Sequence, residues 1–254
     1  MASGTETRLD QAYNDMYNLQ FDAAHRVIAQ YKALWPLDPL GPVSDAAACL
    51  FSEFNRLHIL QSEFFVNNQR FFNFETQRPD PAVRARFDED LEKTRRLAAL
   101  QLKSPEHRAN AMLAQTLQLG LRADYLALID RRNWAALAET KKARILARQL
   151  LAKHPQYYDA YIAMGIENYL LSQKPAPVRW ILRMTGARTD KQRGIEELKL
   201  TAEHGHYLKP YARLLLAVAA LRDGNRKKAR ELLGWLAARY PKNRLYRKEL
   251  AKLQ

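Results

Sequence analysis

The chain holds a single cysteine in 254 residues, so it can form no internal disulfide and no multi-cysteine metal site. Glycine and proline are scarce as well, at 9 and 11, and both gather between long apolar-periodic runs, which is the punctuation of helices. Long hydrophobic runs are missing. The longest, Leu214 to Leu221, has eight residues, against about 20 for a helix that crosses a bilayer. Catalytic signatures are missing too: there is no Gly-rich phosphate loop, dinucleotide fingerprint, His-Glu-x-x-His or Gly-x-Ser-x-Gly. Neither catalysis nor a cofactor is therefore expected. No secretory leader is visible, because Met1-Ala-Ser-Gly-Thr-Glu6 runs directly into an amphipathic pattern. The expected location is cytoplasmic, or exported if a leader has been removed upstream.

What is present in quantity is apolar residues, 47% of the chain, ample for a core, and positive charge. Acidic residues number 27 against 41 Lys and Arg, a net charge of +14. The excess is uneven: residues 183–254 carry +11 and residues 1–182 only +3. A basic segment on a near-neutral body favours an acidic partner surface, anionic lipid or nucleic acid.

Apolar residues recur at intervals of three and four almost throughout, with no sustained alternation of period two. The pattern predicts an all-α chain of twelve helices. Ser3 and Glu6 can form a capping box on the first. The second ends at Pro36, and a long third spans about 43–66. Asp80-Pro81 and Ser104-Pro105 each read as an N-cap followed by a first-turn proline. Later helices fall near 133–153, 157–172, 177–184, 190–204, 208–222, 226–239 and 243–253.

Ala12, Ala24, Ile28, Tyr31 and Pro36 are spaced 12, 4, 3 and 5; Ala217, Ala229, Leu233, Leu236 and Pro241 repeat that series, and Ala143, Ala147, Leu150 and Pro155 repeat its last three intervals. A small residue on each helix lets a pair cross closely, and a proline closes the second helix where no amide hydrogen is needed. At these residues the chain resembles the tetratricopeptide repeat family. The match is good over 8–36 and 210–243 and partial over 133–172, where Tyr161, Met164 and Gly165 fit a first helix. Its partner helix resumes as Gly194, Leu198 and Thr201 after an insert at 173–189. Segment 43–130 departs, with longer helices and Lys93 where a small residue is expected. The resemblance implies a single domain over 1–254, a right-handed superhelix of five to six helical hairpins serving protein recognition. Some bacterial proteins of this general look are exported, which would make an envelope-associated scaffold.

Several side chains stand out as candidates. Glu167 and Asn168 interrupt the apolar run Tyr161–Leu171; a buried carboxylate needs a basic partner, for which Arg122 or Lys142 is the expectation, as a tie between hairpins or a ligand contact. Glu53, Arg56 and Glu63 pose the same question among the phenylalanines of the third helix. Cys49 has helical spacing to Phe51 and Phe54 and reads as a buried small hydrophobe. His204 and His206, beside Glu203, offer metal-ligand atoms but fall where a helix ends, where a cation suits the dipole. Arg226, Lys227, Lys228 and Arg230 open one helix, against its dipole, and Arg244, Arg247 and Lys248 lie on the next. These seven form a candidate partner-binding face. A clamp for peptide carboxylates is disfavoured, because Leu214, Leu215, Val218 and Ala219 cannot bind one. Trp180 sits in a short amphipathic stretch that reads as a plug of the stack. A polar outer face on the final helix fits a capped monomer, whose partner would be a protein or peptide with an acidic surface.

Overall fold

The computed structural model describes residues 3–59, 78–172 and 190–253. Among them are eleven α-helices, one 3-10 turn at Tyr158–Ala160 and no strand. In chain order the helices are α1 (Ser3–Tyr17), α2 (Phe21–Leu34), α3 (Leu40–Arg56), α4 (Pro81–Gln101), α5 (Arg108–Leu128), α6 (Asn133–Lys153), α7 (Tyr161–Ser172), α8 (Lys191–His204), α9 (Lys209–Arg222), α10 (Arg226–Arg239) and α11 (Arg244–Ala251). The side chains of the Ser3–Glu6 box and the expected helix at 177–184 lie outside the described residues, as does the insert at 173–189. No described helix is long and apolar enough to cross a membrane.

The chain is all-α, and helices pack on their sequence neighbours: α1 on α2, α2 on α3, α5 on α6, α6 on α7, α7 on α8 and α10 on α11. The contacts divide into two units, residues 1–97 with 213–254, and residues 98–212.

The 12-4-3-5 series maps onto a repeated backbone. Ala12, Ala24, Ile28, Tyr31, Ala217, Ala229, Leu233 and Leu236 are all buried. The helices that end at the repeated prolines end alike. Trp35, His154 and Tyr240 take φ/ψ of −129/64°, −136/70° and −126/70°. Each donates its amide to the carbonyl four residues back, at 2.8–2.9 Å. The turn before the helix repeats as well. Leu19, Arg131 and Gly224 have φ of 61°, 56° and 71°, and each lies five residues before a buried alanine, Ala24, Ala136 or Ala229. Helices α2 and α10 have 14 residues and α6 has 21. The seven extra residues are two helical turns, which lengthen the helix while returning its buried side to nearly the same face.

The α7–α8 pair depends on glycine at its crossing. A Cβ on Gly194 would stand 2.7 Å from the Tyr169 amide nitrogen, and one on Gly165 3.0 Å from the Gly194 carbonyl oxygen. Leu198 and Thr201 are fully buried beyond this contact, as the resumed repeat predicts. At the position of the repeated proline α8 has His206, and Gly205 before it stands against Asp159, whose carboxylate accepts the amides of Tyr207 (2.9 Å) and Leu208 (3.1 Å) ahead of α9.

Two helix boundaries differ from expectation. The third helix ends at Arg56, not near 66, because Leu57 leaves helical geometry and His58 turns left-handed at φ 59°. Ser104-Pro105 opens a turn, with Arg108 N donating to Ser104 O, and α5 begins only at Arg108. Asp80 does cap α4, accepting from Ala82 N at 2.8 Å.

Candidate functional site

In the first unit a charge network joins three helices around Asp45 of α3, which has no exposed surface. His25 Nδ1 of α2 lies 2.5 Å from Asp45 Oδ1, Lys32 of α2 binds Asp45 Oδ2, and Arg86 of α4 donates to Oδ1 at 2.8 Å. Lys32 also reaches Asp90 Oδ1 of α4 at 3.3 Å. Gly41 makes that reach feasible, because a Cβ there would stand 2.9 Å from Lys32 Cγ. Burial works to raise the Asp45 pKa, but the donors from His25, Lys32 and Arg86 outweigh it and hold the carboxyl well below its usual range. Asp90 goes the other way. Burial and the neighbouring Asp45 charge push it up to about 6, and its Oδ2 accepts no hydrogen bond. Cys49, one turn from Asp45, is buried, and burial pushes its thiol up to about 12. It packs as a small hydrophobe and is no nucleophile at neutral pH.

A second network ties the hairpins of the other unit. Glu167 of α7 pairs with Arg144 of α6, and both are buried. This corrects the expected partners. Arg122 is exposed and Lys142 pairs with Glu139 on its own helix at 2.9 Å. Arg144 wins because it stands beside Ala143 and Ala147 on the inward side of α6. Asn168 donates to Glu197 Oε2 of α8 at 2.7 Å, and Arg193 holds the other oxygen of Glu197 at 3.1 Å. The polar pair in the apolar run is thus bound to both flanking helices. In the same unit Tyr211 donates to Asp124 at 3.4 Å. Burial pushes Asp124 up to about 7, and the tyrosine only partly offsets this.

Glu53 and Arg56 do meet. Arg56 grips Glu53 through two hydrogen bonds of 2.8 and 2.6 Å, while the Asp80 amide donates to Glu53 at 2.9 Å and Arg56 to the Arg78 carbonyl at 2.8 Å. They fasten the start of α4 to the end of α3. Glu63 lies outside the described residues. His204 rests against the Tyr158 ring at 4.9 Å between centroids, and among the described residues no three His, Cys, Asp or Glu side chains converge as metal ligands.

The basic face divides by role. Arg226 and Arg230 donate to the carbonyls of Lys252 (3.2 Å) and Leu253 (2.5 Å) at the far end of α11, and Lys228 pairs with Glu231 at 2.7 Å. The cations that oppose the α10 dipole therefore complement the opposite end of α11. Lys227, Arg244, Arg247 and Lys248 are exposed.

The Asp45 network has no periodic signal in the sequence, although a carboxylate directly before the apolar run Ala46-Ala-Ala-Cys-Leu50 signals a buried charge that needs partners. No family model, curated protein or solved structure matches the chain.

Proposed function

We propose that this chain is a non-catalytic recognition scaffold of tetratricopeptide type that binds a protein or peptide. The observation that carries this reading is the hairpin whose turn, buried small residues and terminal cap recur in α1–α2 and α9–α10. Repeated hairpins bury one side of each helix against a neighbour and leave the others free for docking. The charged residues within the helices also favour recognition over chemistry: Asp45, Glu53, Glu167 and Glu197 each bind cations or amides that fasten one helix to the next. Immobilised protein exposed to native lysate should retain a partner that excess free chain displaces. Retention of no protein would refute the reading.

One observation favours a second reading, an anion binder at the basic end: Lys227, Arg244, Arg247 and Lys248 remain exposed beside cations already engaged with backbone. Binding of an anionic vesicle or oligonucleotide should then weaken about tenfold or more between about 50 and 300 mM salt. Salt-independent affinity would remove it.

A further inference from the structure

We propose that the outward face of α6 is a docking seam for an acidic amphipathic helix of a partner protein, an inference that rests on the scaffold reading above. Trp134, Ala138, Lys141, Ile145, Arg148 and Ala152 are all exposed, Trp134 at 75% and Ile145 at 45%. Their spacing is four, three, four, three, four, the interval at which one helix presents a continuous stripe to another. The opposite side of the helix, with Ala136, Ala143, Ala147 and Leu150, is buried, so the stripe is a second face beyond the one its own unit needs. From Trp134 to Ala152 it runs about 27 Å, some five turns. The two extra turns of α6 are what make it that long.

Charge selects the occupant. Residues 131–153 contain seven Lys and Arg and one acid, Glu139. Arg144 is turned inward to Glu167, and Glu139, the one acid of the segment, is matched by Lys142, so the exposed side of α6 keeps a net positive charge. Lys141 and Arg148 sit inside the stripe, between the apolar positions. A second copy of this chain would bring like charges into the contact. Nucleic acid would find one aromatic platform where several successive ones are the rule. A partner helix with apolar residues over Trp134 and Ile145 and carboxylates over Lys141 and Arg148 satisfies both the shape and the charge.

The test places a photo-crosslinking residue at Ile145 of the full chain and, separately, at Arg247, in native lysate, and maps the crosslinked segment by mass spectrometry. At Ile145 the captured segment should carry an excess of Asp and Glu on a three-four spacing. Capture should fall about tenfold in the Lys141→Glu/Arg148→Glu variant, and likewise with Trp134→Ser, which leaves the charge untouched. All three positions are exposed, and an unchanged circular dichroism spectrum confirms the fold of each variant. A neutral or basic segment, nucleic acid, this chain itself, or capture indifferent to the substitutions would overturn the seam. Protein captured at Arg247 but not at Ile145 would refute the seam alone, whereas protein captured at neither would refute the scaffold reading with it.

Discussion

Replacing Asp45 by Asn tests whether the charge network is a brace between helices. The substitution keeps the shape of the side chain and removes its charge from the centre of three cationic or hydrogen-bonding partners. Breaking a buried ion pair from one side costs about 3–5 kcal/mol. Lys32 and Arg86 are 24% and 46% exposed in their side chains, so both can recover part of their hydration, and a loss of about 2 kcal/mol follows for the first unit. The folded pKa of Asp45 lies below its ordinary value of 3.8. Its contribution is therefore complete above pH about 4 and disappears only as pH falls through the depressed value. At pH 7, hydrogen exchange of the buried amides of α2 and α3 should accelerate about thirtyfold, the equivalent of about 2 kcal/mol. The same comparison at pH 3 should show a smaller difference. Exchange within a factor of two of the parent at pH 7 would refute the brace, and faster exchange confined to residues 98–212 would refute its assignment to this unit.

Asp124→Asn should have the opposite sign. A carboxyl pushed up to about 7 takes up a proton in the folded state, so its effect on stability worsens as pH rises from about 4 to about 7. The variant should be indistinguishable from the parent at pH 4 and more stable by up to about 4 kcal/mol at pH 8 in urea titrations. Gly194→Ala should cost about 2 kcal/mol or more, because its methyl meets backbone rather than a yielding side chain; a loss under about 0.5 kcal/mol would contradict the close crossing. Gly224→Ala should destabilise by about 1 kcal/mol and Arg131→Gly should stabilise by up to that amount, since both positions are left-handed; calorimetry that finds the same sign for both would contradict the shared turn. Arg230→Ala should raise exchange at the end of α11 and leave α2 unchanged, and uniform exchange would remove its capping role.

The repeat was legible in the sequence because its determinants are local: a small residue where helices cross and a proline where the second helix closes. The internal turn was less so, since Leu19 and Arg131 adopt a conformation that neither residue type advertises. The early end of α3 was invisible for the same reason. His58 terminates it without glycine or proline. Asp45 was missed because its partners stand 13, 20 and 41 residues away on two other helices, and no periodicity links them. Glu167 was recognised as needing a cation, yet Arg144 was passed over. Its place beside two buried alanines, Ala143 and Ala147, was the available clue.

Asn18 accepts the Lys242 amide at 3.1 Å, Asn243 donates to the Tyr17 carbonyl at 2.8 Å, and the Tyr17 and Tyr240 rings meet at 5.3 Å. Those groups are separated by more than 220 residues of chain, so on the ribosome the opening hairpin emerges with this side uncovered. At about 5–20 residues per second it waits on the order of ten seconds or more for its mate. Residues 98–212, by contrast, form one contiguous stretch, and all of it is made before residues 213–254. The order of birth and the order of completion are thus reversed for the earliest helices, and a holding chaperone or a slowed codon run would act on them during that interval.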